Sequence, residues 1–193
     1  MNSQTKLVIA IAVLPLLAAC GKSAETPDTT PVPQASETPV QEAPTSLVPE
    51  KAGVTSLDVL QLAGLAATKA PCSLDLIAGK SVASGPVPVA AGANILFQGW
   101  ISNPDLQSPG PIAVVLSGDQ AYAIRGKAGG ERPDVAKVLK ADGLAASGYN
   151  VATNLQNVAP GEYSVSLIQD WNGSTIQCAT KARITVAAPG SGV

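Results

Sequence analysis

Histidine is absent from this sequence. With it go the commonest general base at neutral pH and the commonest neutral metal ligand. Aromatic residues make up 3% of the chain, while Ala, Val, Gly and Thr are plentiful. Small and β-branched residues of this kind suit thin sheets better than large pockets. Charge is also sparse. Twelve basic side chains stand against fourteen acidic ones, for a net charge of −2, so no basic surplus exists to attract nucleic acid or anionic lipid. No serine lies in a G-x-S-x-G elbow, and no cysteine lies in C-x-x-C. Gly126, Gly129 and Gly130 surround Lys127 without the Lys-Ser/Thr order of a phosphate loop, so that stretch reads as a flexible loop.

What is present begins with a short polar start carrying Lys6, followed by an apolar run from Leu7 to Ala19. The run is shorter than the roughly 20 apolar residues needed to span a bilayer, and it has the layout of a secretory signal. It ends in Leu17-Ala18-Ala19-Cys20, followed by Gly21. This resembles the lipobox of bacterial lipoproteins. The resemblance implies cleavage before Cys20, a diacylglycerol thioether on its sulfur, and often a further acyl chain on the new amino group. Two or three chains give durable anchoring where one is marginal. Gly21 is not Asp, so the sorting rule of enteric bacteria implies the outer membrane, with the domain in the periplasm. Residues 1–19 are thus expected to be a signal peptide.

Residues 20–50 carry the lipidated cysteine and then a tract rich in Pro, Thr, Ser, Glu and Ala, with prolines at 27, 31, 33, 39, 44 and 49. Such a tract cannot bury enough apolar surface to offset its ordering entropy, and its prolines stiffen it toward polyproline II. The expectation is a disordered tether, with residues 51–188 as one β-rich domain and 189–193 as a flexible tail. About 140 residues suffice for one hydrophobic core.

Within the domain, apolar residues recur with period two. Ile176, Cys178, Thr180, Ala182, Ile184 and Val186 share one face of a strand, and Tyr163, Val165 and Leu167 share one face of the strand before it. Asn172-Gly173 between them is a strong hairpin signal. Ile112–Leu116 and Ala121–Ile124 form a second hairpin, and further strands are expected at Cys72–Ile77, Asn94–Ser102 and Tyr149–Leu155. Leu57 to Leu65 fits a strand or a helix. Pro133, then Val135, Val138 and Leu139 at helical spacing, then Gly143 as a stop, predict one short crossover helix between Arg132 and Gly143.

The segment Asn157-Val158-Ala159-Pro160-Gly161-Glu162-Tyr163 resembles the start of a late strand in immunoglobulin-like sandwiches. There a tyrosine hydroxyl ties back to the backbone upstream. The resemblance, with about seven strands, implies an all-β, antiparallel immunoglobulin-like sandwich with Trp100 as its core tryptophan. Cys72 shares the apolar face of its strand with Leu74 and Leu76, and export places the chain in an oxidising compartment. A buried Cys72–Cys178 disulfide joining the first and last strands is therefore expected, with two separate buried thiols as the alternative.

The carboxylates Asp105, Asp119, Glu131, Asp134, Asp142 and Asp170 mostly fall in turns and at the helix start, where Asp has structural roles. No catalytic residue, metal ligand or cofactor is expected. Three residues stand out as possible contacts. Trp171 and Asn172 sit at a hairpin tip, where an exposed indole can stack on a sugar or anchor an interface, or else fold over its own hairpin. Arg132 precedes the helix and could meet a partner or pair with a neighbouring acid. The expected function is a non-catalytic module that binds an envelope protein or helps assemble an envelope complex. A carbohydrate-binding module for envelope glycans is the alternative, and an enzyme is the third choice.

Overall fold

A computed structural model of the chain describes residues 46–188. The signal-like segment, Cys20, residues 20–45 of the tether and the 189–193 tail lie outside the described residues.

In chain order the elements are β1 (Val54–Leu57), α1 (Val59–Ala63), β2 (Ala66–Ala67), β3 (Cys72–Ile77), β4 (Lys80–Ser81), β5 (Val87–Val89), β6 (Asn94–Ile101), β7 (Pro111–Ser117), β8 (Ala121–Gly130), α2 (Pro133–Leu139), β9 (Gly148–Asn154), β10 (Gly161–Trp171) and β11 (Ser174–Val186). All of the expected strands are present. Four short segments, β1, β2, β4 and β5, were not foreseen, because two to four residues carry no readable period. Leu57 to Leu65 resolves its ambiguity by being both: a strand ends at Leu57, Asp58 caps α1 by accepting from the Leu60 backbone N–H, and β2 follows.

The strands form one curled sheet in the order β2-β11-β10-β7-β8-β9-β6-β3-β4, with β1 added on β8 and β5 added on β11. The fold is all-β, but the sheet is mixed where antiparallel pairing was expected. Both β2 and β5 run parallel to β11. They lie on its free edge, at its start and at its end.

The curl is made by β8. Its first residues, Ala121 to Lys127, pair with β7, and its last, Ala128 and Gly130, pair with β9. The register shifts between them, at Gly129, whose φ is +144°. That backbone conformation favours glycine. A side chain at Gly126 would run into Val151 of β9. The glycines around Lys127 are therefore not a loop, as their composition implied, but the bend of a strand. Glycine in a strand interior marks such a bulge or a close approach.

The halves on either side of this bend enclose the main core. Ile77, Phe97 and Ile101 come from one side, and Leu116, Leu167 and Ile184 from the other, all with essentially no exposed surface. Cys72 and Cys178 form a disulfide across the open side, with their Cα atoms 6.4 Å apart and a sequence separation of 106. It links β11 to β3, the third strand segment rather than the first. The face of β3 also differs from strict alternation. A register shift between Leu74 and Leu76 puts Asp75 at a bulge, so Ile77 is buried and Leu76 is only half-buried.

The second face of the β7–β10 region is covered as well. Ala113, Val115, Ala123 and Ile168 pack with Val48 and Leu62. This explains why Ile112 to Leu116 is buried at every position. Residues 46–50, which composition assigns to the tether, lie against the domain: Val48 is buried, and Arg125 donates to the Pro49 carbonyl. One valine over a pocket of small residues does what the surrounding prolines do not.

On the other half, α2 begins with Pro133 at its first position and ends at Lys140, whose φ of +53° turns the chain. Gly143 does not stop it, lying instead in a separate 3₁₀ turn. Val135 and Ala136 are buried, but Val138 is 78% exposed, because the packed face of the helix runs through Val135, Ala136 and Leu139 and Val138 projects to one side of it. Trp100 is half-buried against the small cluster of Val135, Ala136 and Leu144, as are Leu139 and Ala141. It is thus not the tryptophan of the main core: it alternates out of β6 onto the helix side.

Replacing both Cys72 and Cys178 by Ala is expected to lower unfolding stability by about 2–5 kcal/mol, the usual loss when a native disulfide is removed from a small domain. Urea denaturation of the double variant beside the oxidised parent measures it.

Candidate functional site

The tip of the β10–β11 hairpin is built from four residues. Asn172 and Gly173 both have positive φ, at +50° and +77°, which is the two-residue turn that matches strand twist. Trp171 and Ser174 are the last paired residues. This fixes Trp171 at the end of a strand, half-buried, with its ring beside the loop between β6 and β7. That loop is itself ordered. The Asn103 side chain accepts from the Asp105 and Gln107 backbone N–H groups at 3.0 and 2.9 Å. The buried Gln169 of β10 donates to the Ser102 carbonyl at 2.8 Å, tying the loop base to the hairpin.

The indole Nε1 of Trp171 donates to Asp105 at 3.2 Å. Trp171 therefore spans from its own hairpin to the neighbouring loop. It forms one wall of an open groove of about 360 Å³ whose other walls include Lys69, Pro71, Pro104, Leu106 and Ile176. The lining is predominantly apolar, with Lys69 at its rim. A groove of this shape can take an apolar side chain or the face of a ring; it carries no converging acid and base. Asn172 extends beyond the groove at the turn itself and is exposed.

Arg132 lies elsewhere, on the β3–β6–β9 half. Its guanidinium bonds Asp134 through Nε at 3.0 Å and Nη2 at 2.9 Å, and Asp75 through Nη1 at 3.0 Å. The Ser73 hydroxyl donates to the other oxygen of Asp75 at 2.6 Å. Behind them the Tyr149 hydroxyl donates to the Ser73 carbonyl at 3.0 Å, over Gly99, where any side chain would strike both groups. Asp75, Arg132 and Tyr149 line a cleft of about 300 Å³ with Gln98 and Asn150, which bond each other at 2.9 Å. Hydrogen bonding to Asp134 is the main cause that raises the Arg132 pKa, and the same bond is the main cause that lowers that of Asp134. Burial drives the Tyr149 phenol well above its ordinary range, with the Asp75 charge adding to it. The phenol stays neutral, a donor to a backbone oxygen. Arg132 is held by two carboxylates as a brace between α2 and β3, and it shares no groove with Trp171.

Asp170 and Asp134 have structural roles. Asp170 accepts from the Ser46 and Thr175 hydroxyls at 2.5 and 2.7 Å. Asp134 stands in the first turn of α2. Among the described residues, no group of three or more His, Cys, Asp or Glu is placed to hold a metal, and no helix is long and apolar enough to cross a membrane. Sequence reasoning passed over Asp75 and Leu106. Ser73 and Asp75 alternate with Cys72 and Leu74, which is a signal for a polar outer face. Nothing local flags Leu106, whose φ of +56° throws it outward.

No family model matches the chain, and no curated protein matches it. Among solved structures, the endo-beta-1,4-mannanase from Thermotoga petrophila aligns over 62% of this chain at 11% identity and a TM-score of 0.36. The alignment spans 20% of that enzyme's chain.

Changing Arg132 to Gln is expected to move the Asp134 carboxyl titration back up toward the ordinary carboxylate range, read by NMR. A carboxylate whose folded pKa is depressed stabilises above the unfolded value, and that contribution fades as pH falls through the folded one. The parent should therefore lose more stability than the Arg132→Gln variant on acidification below pH 4.

Proposed function

We propose that this chain is a lipid-anchored envelope lipoprotein whose domain is a non-catalytic binding module, with the groove beside Trp171 as its contact site. The observation that carries the contact site is the pinned, half-exposed indole over an apolar groove at a hairpin tip. Aromatic anchors in such settings dominate binding energy at interfaces. The anchoring part rests on the lipobox-like Leu17-Ala18-Ala19-Cys20 and the apolar run before it. The disulfide suits the oxidising compartment that export implies. The partner is an envelope protein that offers an apolar side chain.

We also infer an immunoglobulin-like sandwich. The order β3-β6-β9-β8 on one side of the bend matches an A-B-E-D layer, and β11-β10-β7-β8 on the other matches G-F-C-C′. The Tyr163 hydroxyl donates to the Ala159 carbonyl at 2.7 Å at the start of β10, the position of the tyrosine corner in that class. The class has its disulfide between strands B and F and a tryptophan on C. Here the bridge joins the strands matching A and G, and Trp100 lies on the strand matching B.

A photo-crosslinking residue in place of Leu106, in intact cells, is expected to capture a discrete protein, and Trp171→Ala is expected to reduce that capture at least about tenfold, the loss of one interface anchor. Capture of nothing, with a glycan array positive and sensitive to Trp171→Ala, would instead assign the groove to carbohydrate. Mass spectrometry of the mature chain should show a diacylglycerol-modified Cys20 as the first residue. An unmodified sulfur there would overturn the anchoring.

A further inference from the structure

On the other side of the same hairpin lies a second surface. Helix α1 presents Leu60, 81% exposed, and Val59, 41% exposed, as adjacent apolar side chains. Leu60 lines an open groove with Leu47 and Leu65, which Ser174 and Thr175 of the hairpin also border. Two exposed leucine-class residues at one spot are not explained by packing, since Leu62 is the residue of α1 that faces the sheet. The described chain also starts here. The Ser46 hydroxyl bonds Asp170, and the Leu47 N–H donates to Thr175 at 3.1 Å. The chain from Cys20 thus enters the domain at the patch itself. Only positions 21–45 separate the two. A coil of that length spans roughly 30 Å, and at most about 90 Å when extended.

We propose that the Val59–Leu60 patch is a lipid-contact face, seated at the bilayer surface when Cys20 is anchored. This rests on the lipoprotein reading above. The anchor raises the local concentration of bilayer near this end of the domain, so a patch too small to bind membrane alone is enough to orient the domain. Apolar side chains that reach the acyl boundary gain in proportion to their buried area. The charges beside the patch select the lipid. Asp58 caps α1, and Asp170 lies at the chain entry. Both are acidic, so the face suits a zwitterionic surface and gains nothing from anionic lipid. In this orientation α2 and Val138, on the other half of the sheet, stay in water.

The test uses the full, lipidated chain in vesicles of zwitterionic lipid. In the mature protein Cys20 is a thioether and Cys72 is bonded to Cys178, so Leu60→Cys adds one free thiol for an environment-sensitive fluorophore. Val138→Cys serves as the control, since Val138 is as exposed as Leu60 and sits on the other half. The expected result is blue-shifted emission at position 60, and quenching by lipid-borne nitroxide several-fold greater there than at 138. Adding anionic lipid should not increase it. Equal, water-like signals at both positions with Cys20 acylated would overturn the lipid-contact face and leave the anchoring intact. An unacylated Cys20 would overturn both. A shift at 60 that needs other envelope proteins would assign the patch to a protein partner and also overturn the proposal.

Discussion

The bend in β8 is the constraint on which the architecture rests. A sheet this long would expose one whole apolar face if it stayed open. At Gly129 the strand changes neighbours, from β7 to β9, and the sheet folds over itself so that one face becomes the inside. Glycine makes this possible in two ways. Its positive φ allows the bulge, and the missing side chain at Gly126 lets Val151 approach. The Cys72–Cys178 bond then fastens the side opposite the bend. Bend and bridge together hold Phe97 and Leu167 in one core although they come from different halves.

This closure leaves function to the rim. The interior is filled by aliphatic side chains with a few aromatic rings, and its polar side chains are few, among them Gln169, which donates to the Ser102 carbonyl. What can meet another molecule are the places where strands end. At the β10–β11 tip, the turn geometry of Asn172 and Gly173 fixes Trp171, and the β6–β7 loop supplies Asp105 and Leu106 against it. The entry of the chain at Ser46 uses the same end. The entry of the chain, the groove and the apolar patch are thereby gathered around one hairpin, while the Arg132 cluster braces the other half.

That brace shows why a residue singled out for its chemistry can serve structure. Arg132 stands out in sequence because it precedes Pro133-Asp134. In the fold its donors are divided between Asp134, two residues away, and Asp75, fifty-seven residues away. The first partner is visible locally. The second depends on a bulge in β3 that no period reveals, and it is the one that binds helix to sheet.

The sequence by itself determined the strands with clear alternation, the Asn-Gly hairpin, the start of α2 at Pro133 and the pairing of two cysteines that each lie on an apolar face. These are local matters: side-chain period, turn conformation and the φ of proline act over a few residues. Tertiary structure alone decided that the sheet is mixed, that Trp100 packs under α2 rather than in the core, and that residues 46–50 belong to the folded surface. It also decided which acid Arg132 reaches across the chain and which apolar residues remain outside. The physical reason is common to all of them. Each depends on which distant strand lies alongside, and that is set by the bend and bridge, whose effects act across a hundred residues of chain.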